Sequence, residues 1–337
     1  MKFCVIGLGR MGRRHIHVAK NLNFDIAGVF DPMQESVRLA QEEQGVPASA
    51  VFGSVEQMLN ETKPQAIVVA STAPSHCEYV IRAAEAGVQY ILCEKPMATS
   101  IEECNRRIAA CAEYGALLAI NHQMRFMEQY TLVKELAQSD GMGGMRSITV
   151  AGSNFGLAMN AVHYFEMFRY LASEDLELIN FWADEAKVPN PRGNQYEDLS
   201  GQLRATSPSG IRLYLDIGGD QGHGIQVTYG CRYGQILVDE LAGFMRVISR
   251  KAEFRELPTT RYGMPSTTEV RQIAPADAIA PTQAVWQAML DGRSYPDGAA
   301  GLHAVRALVA ANLSTESGGE AVAVAQGKVL QRRFPWA

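Results

Sequence analysis

The chain has 337 residues, 47% of them hydrophobic and 20% charged, with a formal net charge of −5. That length suits about two domains, and the apolar share is ample for buried cores. The acidic balance offers no basic face to nucleic acid or to an anionic membrane, so neither is expected as a partner.

Up to residue 120, short apolar runs alternate with longer amphipathic ones. Lys2–Ile6 reads as a strand and Arg10–Asn21 as a helix. Ile26–Phe30 is a strand ended by Asp31 and Pro32. Ser36–Glu43 and Ser54–Asn60 are helical, and Ala66–Ala70 ("AIVVA") is a strongly apolar strand. His76–Ala86 is a helix closed by Gly87. Tyr90–Cys93 is a strand, Ser100–Tyr114 a helix with Gly115 past its end, and Leu117–Ile120 a further strand. Strands separated by helices imply parallel pairing through right-handed crossovers, hence an α/β Rossmann domain over residues 1–120.

From residue 121 the pattern changes. A helix over Asn160–Leu171 precedes turn-punctuated runs at Ser200–Ala205, Ile211–Ile217, Ile225–Tyr229 and Gln235–Asp239. Ser207–Gly210 and Cys231–Gly234 read as turns between antiparallel strands. Phe244–Pro275 fits no single pattern, and Pro281–Asp291 and Ala299–Ser314 read as late helices. Residues 121–337 are therefore expected to form an α+β domain with a largely antiparallel open sheet. No apolar run reaches the ~20 residues of a membrane span, and no basic segment leads into a long apolar run at the start. Cys4, Cys77, Cys93, Cys104, Cys111 and Cys231 form no C-x-x-C pair and no zinc-type spacing. A reduced, cytoplasmic protein without a metal site is expected.

Gly7-Leu8-Gly9-Arg10-Met11-Gly12 follows a strand and opens a helix. In that setting Gly7 permits the tight turn, Gly9 lets backbone N–H groups approach phosphates, and Gly12 lets helix and strand pack closely. The helix start then offers N–H donors, including those of Arg10 and Met11, to a pyrophosphate. Asp31, ending the second strand about 20 residues on, is where an acid would bind the adenosine ribose hydroxyls. A carboxylate there repels a 2′-phosphate, so NAD is favoured; Arg10, Arg13 and Arg14 leave NADP possible. Ser71, Thr72 and Pro74 follow a strand's carboxyl end, where cofactors lie in open α/β sheets.

Three stretches join the glycine loop: Ser71-Thr72-Ala73-Pro74-Ser75-His76, Cys93-Glu94-Lys95-Pro96 and Asn160-Ala161-Val162-His163-Tyr164-Phe165. In this order and spacing the chain resembles the Gfo/Idh/MocA family of sugar and cyclitol dehydrogenases. Asn121–Phe126, Tyr229–Gly234 and Asp297-Gly298 extend the likeness almost end to end, and Glu-Lys-Pro is its most specific element. The resemblance implies an NAD(P)-dependent oxidoreductase that transfers a hydride between nicotinamide and a sugar, sugar-acid or nucleotide-sugar hydroxyl or ketone. It places His76, Glu94, Lys95, Asn121 and Arg125 at the cofactor, and Pro96 resembles a family proline often found cis. A homodimer or homotetramer is implied as well.

The family lysine maps onto Lys95, where it would hold the reacting oxygen. An ammonium beside a cationic nicotinamide ring is disfavoured, which eases its proton exchange. By itself Lys95 reads more readily as a surface lysine at a strand end, paired with Glu94. The family histidine maps onto His163, a general base or acid. With Asn160 as N-cap, His163 lies in the first helical turn, where the dipole favours a neutral imidazole able to accept a proton. Its plainer reading is a histidine packed among Val162, Phe165 and Phe168.

The sequence departs from the family in one respect. Many members carry an aspartate one turn before this histidine; here Met159 stands there. The relay then consists of Lys95 and His163 alone, or another acid such as Asp198 or Asp216 enters, or the protein is a non-catalytic dinucleotide-binding regulator or scaffold. Asn121, Gln123 and Arg125 are placed to touch nicotinamide ribose or substrate, with an interdomain salt bridge as the alternative for Arg125. "GGDQGHG" (Gly218–Gly224) reads as a turn rather than a metal site. Glu240, Arg246 and Arg250 read as a solvated stretch.

Overall fold

The alternating apolar and amphipathic runs fold as β1 (Lys2–Ile6), α1 (Arg10–Asn21), β2 (Asp25–Phe30), α2 (Gln34–Gln44), α3 (Val55–Thr62), β3 (Ala66–Val69), α4 (Ala73–Glu85), β4 (Tyr90–Cys93), α5 (Ile101–Glu113) and β5 (Leu117–Ile120). The structure, a computed structural model, describes residues 1–153, 155–185, 190–258, 264–325 and 329–337. The five strands form one parallel sheet in the order β2-β1-β3-β4-β5. All four residues of β3 are buried, as expected of a parallel strand covered on both faces. Ser54 and Ser100 cap α3 and α5 by accepting hydrogen bonds from the Gln57 and Glu103 N–H groups (3.1 and 3.2 Å). Helix α4 begins at Ala73 rather than His76, because Pro74 is tolerated in a first turn, where its missing N–H costs nothing.

The remaining elements are α6 (Glu128–Gln138), β6 (Met145–Ser153), α7 (Val162–Ala172), β7 (Leu178–Ala183), β8 (Gly201–Thr206), β9 (Arg212–Gly218), β10 (Gln226–Cys231), β11 (Gly234–Asp239), β12 (Phe244–Arg250), β13 (Ser266–Gln272), α8 (Ile279–Leu290), α9 (Gly298–Glu316) and β14 (Val322–Ala323). Nine strands form a second sheet in the order β13-β12-β11-β10-β6-β9-β8-β7-β14. Only its β6–β9 pair is parallel among the described residues. The helix expected from Asn160 begins earlier. A π-helical segment, Leu157–Ala161, leads directly into α7, so Asn160 lies inside the helical run and does not cap it. Much of the unassigned run Phe244–Pro275 is the β12–β13 hairpin. Residues 259–263 of it lie outside the described residues. Strand β13 is almost wholly exposed and so shows no apolar alternation to read.

The chain divides into two compact units. One comprises Met1–Gln123, Ala278–Val305 and Gly327–Ala337; the other comprises Met124–Asp277 and Arg306–Gln326. Within the first, Trp286 of α8 packs edge-on against Phe3 and Phe24 (centroids 5.5 and 5.8 Å). Near the chain end, Trp336 Nε1 donates to the Ala98 carbonyl (2.8 Å). All six cysteines are unbridged. No described helix is long and apolar enough to cross a membrane.

Candidate functional site

In the first unit the glycine loop joins β1 to α1. These strands border the point where the order reverses, β1 running on to β2 on one side and pairing with β3 on the other, the usual crevice for ligands in open α/β sheets. Gly7 has φ +89°, and a Cβ there would lie 2.5 Å from the Ser71 nitrogen. A Cβ on Gly12 would lie 1.8 Å from the Gly7 carbonyl oxygen. Gly9 differs: nothing among the described residues lies within 4 Å of a Cβ built on it. The loop is thus closed where helix meets strand and open where a diphosphate would approach. The α1 start has no side-chain cap and no acid in its first turn among the described residues, leaving its positive end for an anion.

Asp31 sits beside this loop. Its Oδ2 accepts from the Leu8 N–H (2.6 Å) and its Oδ1 from the Met33 N–H (2.8 Å). Of the arginines that leave NADP possible, Arg13 is held by Glu43 (2.7 Å) and the Leu8 carbonyl (3.0 Å). These residues fit a dinucleotide: an open glycine, an uncapped helix start and a carboxylate at the end of β2.

The ends of β4 and β5 are tied to α1 through Glu94, which is 5% exposed. Its Oε1 accepts from His15 Nε2 (2.7 Å) and Asn121 Nδ2 (2.8 Å). Burial would raise this carboxyl, but the hydrogen bond and charge of His15, with the charge of Lys95 and the Asn121 amide, outweigh it and hold the carboxyl well below its usual range. The next residue, half-buried Lys95, precedes a cis bond to Pro96. The Asn121 amide is therefore engaged by Glu94.

His76 is also turned inward. Its Nδ1 lies 3.0 Å from the Pro96 carbonyl oxygen and its Nε2 2.9 Å from that of Ser71. Burial, then repulsion from Arg107, push the imidazole down to about 4. It lies between the loops after β3 and β4, and as a neutral ring it donates to one of these two carbonyls at a time. Ser71, half-buried, accepts a hydrogen bond from the Ser75 hydroxyl (2.7 Å), and Pro74 is exposed.

In the second unit, His163 is buried in α7. Met159 lies in the π-helical segment before it, and Asp198 accepts from the Ala158 and Met159 N–H groups (2.7 and 2.8 Å). Arg125 belongs to this unit. Its guanidinium pairs with buried Glu166 of α7 and lies 5.3 Å from the Tyr170 ring centroid. Its ion pair is thus made within one unit, not across two. Arg125, Lys134, Arg169 and Tyr170 line a hollow of about 440 Å³.

Glu240 is not solvated as expected but is 3% exposed. Its carboxylate accepts from the hydroxyls of Tyr130 on α6 and Tyr164 on α7, the latter at 2.9 Å. Burial pushes its carboxyl up to about 7, against the pull of those hydroxyls. The apolar β11 before it signals a buried strand, but the two tyrosines come from distant helices. His15 follows the same logic: it lies on the buried face of α1, while its partner Glu94 comes from the loop after β4. In the Gly218–Gly224 turn, His223 contacts the Gly224 carbonyl (2.6 Å) and Gln221 (2.7 Å). Among the described residues no three His, Cys, Asp or Glu side chains gather as a metal site would require.

A five-stranded parallel sheet with a glycine loop and a terminal acid defines a dinucleotide-binding class of protein. Residues 1–122 match the family described as "Oxidoreductase family, NAD-binding Rossmann fold". The chain is 27% identical over 281 residues to inositol 2-dehydrogenase 3 of Saccharopolyspora erythraea, covering 79% of this chain and 76% of that one. Among solved structures, an oxidoreductase from Agrobacterium radiobacter in complex with NAD+, L-tartaric acid and magnesium has a TM-score of 0.79 at 15% identity, covering 96% of this chain and 98% of that one. UDP-N-acetylglucosamine 3-dehydrogenase from Acidithiobacillus ferrooxidans has a TM-score of 0.76 at 19% identity, covering 95% and 99%. Both show the same fold.

Proposed function

We propose that the protein is an NAD-dependent dehydrogenase that oxidises a secondary hydroxyl of a cyclitol or sugar, with sugar acids and nucleotide sugars in the same substrate class. The observation that carries this reading is the loop after β4. A buried, hydrogen-bonded Glu94 fixes the backbone that presents Lys95 at the carboxyl end of the sheet. The inositol 2-dehydrogenase relative supports the substrate class.

Asp31 and the α1 start bind the dinucleotide. The bound nicotinamide supplies the hydride acceptor. The Lys95 ammonium holds the reacting hydroxyl oxygen and stabilises negative charge as it develops there. The role of proton acceptor is assigned to His163. The carbon–hydrogen and oxygen–hydrogen bonds both break, two electrons leave with the hydride, and a ketone remains.

The test is full-length protein with NAD+ and a panel containing myo-inositol, common aldoses and aldonic acids, followed at the reduced-nicotinamide absorbance band. Turnover with one of them is expected, with Lys95→Ala lowering kcat at least about 100-fold, the scale of losing one oxyanion-stabilising donor. Met159, where many relatives carry an acid, favours a second reading: a dinucleotide-binding regulator without redox turnover. Retained NAD+ with no reduction by any compound of the panel would establish that reading instead.

A further inference from the structure

The helical run that carries His163 is gripped at its start by the loop before β8. Its first three N–H groups all point to that loop. Leu157 donates to the Leu199 carbonyl (2.8 Å), Ala158 to Asp198 Oδ1 (2.7 Å) and Met159 to Asp198 Oδ2 (2.8 Å). One carboxylate thus spends both oxygens on successive backbone donors. Gly156 makes room for it: its φ is +70°, and a Cβ there would lie 2.0 Å from Asp198 Oδ2. The turn that follows is π-helical, with Ala161 N–H bonded to the Gly156 carbonyl (3.0 Å), a local widening often found at functional sites.

The charge matters as much as the geometry. A helix start carries about half a positive charge, and a full carboxylate at hydrogen-bond distance outweighs it. His163 lies four residues beyond Met159 in the same helical run. The field at His163 therefore favours the imidazolium, the reverse of what a bare helix start would do. Met159 contributes a backbone N–H and a neutral thioether, which exerts no such field.

We propose that Asp198 is a positioning residue for His163: its carboxylate fixes the start of the helix and favours the imidazolium formed when His163 accepts the substrate's proton. The functional half of this inference rests on His163 as the proton acceptor. Among the described residues, the other charged groups around this helix include Glu166 with Arg125, Lys134 over the Tyr170 ring, Glu240 with the hydroxyls of Tyr130 and Tyr164, and Arg169 with Asp175. The variants below leave all of them in place.

The experiment is a pH titration of the full-length protein carrying ring-13C histidine, followed by NMR. The chain has seven histidines, and the His163 signal is identified by its loss in His163→Gln. Asp198→Asn removes the charge while nearly keeping the shape. It should lower the His163 midpoint by a few tenths of a pH unit or more, about a two-fold or larger fall in proton affinity, since a nearby negative charge favours the protonated ring. Gly156→Ala pushes the carboxylate aside without deleting it and should shift the midpoint the same way by less; it also serves if Asp198→Asn fails to fold. A His163 midpoint unmoved in a folded variant overturns the proposal. Undiminished turnover in His163→Gln would instead overturn His163 as the base, while the effect of Asp198 on its titration would still be read directly.

Discussion

The two helices that carry the candidate chemistry treat their amino ends in opposite ways. At α1 the start is uncapped and Gly9 faces open space. Before α7, the equivalent space beside Gly156 is filled by Asp198, which takes two of the N–H groups for itself. An open helix start is suited to an anion that arrives; a filled one holds a side chain still.

Two of the buried glutamates repeat the contrast. Glu94 lies among His15, Asn121 and the charge of Lys95, and stays ionised despite burial. Glu240 has phenol hydroxyls and, among the described residues, no cation paired with it, and burial raises its carboxyl to about 7. Burial does not by itself decide the charge of an acid; the charge of its partners does.

The largest expected effect comes from Glu94→Ala. It strands the His15 and Asn121 donors in the interior and should cost about 3–5 kcal/mol, the scale for breaking a buried pair, read as a lower urea midpoint. Because the folded carboxyl is held below its ordinary 4.5, its stabilisation is present above that pH and is lost as pH falls further. A wild-type acid transition left unchanged in Glu94→Gln would break the contrast.

Glu240→Gln should act next in size and with the opposite pH dependence. The folded carboxyl keeps its proton up to about 7, whereas the unfolded chain releases it near 4.5. The folded state therefore binds more protons between these values, and stability falls as pH rises through that window. The fall is on the order of 3 kcal/mol. Glu240→Gln should flatten it; an undiminished slope in that variant would place the titration elsewhere.

The smallest effect on stability belongs to Gly9→Ala, within about 0.5 kcal/mol, because the added methyl meets nothing in the protein. Its effect should appear in calorimetry with NAD+, as binding weakened about ten-fold or more, some 1.4 kcal/mol. Unchanged affinity would show that the open space is not where the diphosphate lies.

Much of the first unit is legible from the chain. Its strands are short apolar runs between amphipathic helices, and Lys2–Ile6, Arg10–Asn21, Tyr90–Cys93 and Leu117–Ile120 coincide with observed elements. Local chemistry suffices there, because glycines, caps and periodicity act within a few residues. In the second unit, α6, β6 and β7 carry no clear signal. Helix α7 is buried on nearly every side from Val162 to Phe168, which erases the periodicity that would locate its start. Glu240 reads as solvated for the same reason: the tyrosines that enclose it come from other elements.

The order of residues alone determined the glycine loop, the acid that follows it and the parallel sheet behind them, since each depends on backbone geometry over short spans. Tertiary structure decided which side chains are already engaged. It turned the His76 nitrogens and the Asn121 amide toward protein partners, enclosed Glu240, and brought Asp198 to the helix of His163 from a loop some 40 residues away. Those pairings depend on groups meeting across the fold, and no local pattern in the chain encodes which ones will meet.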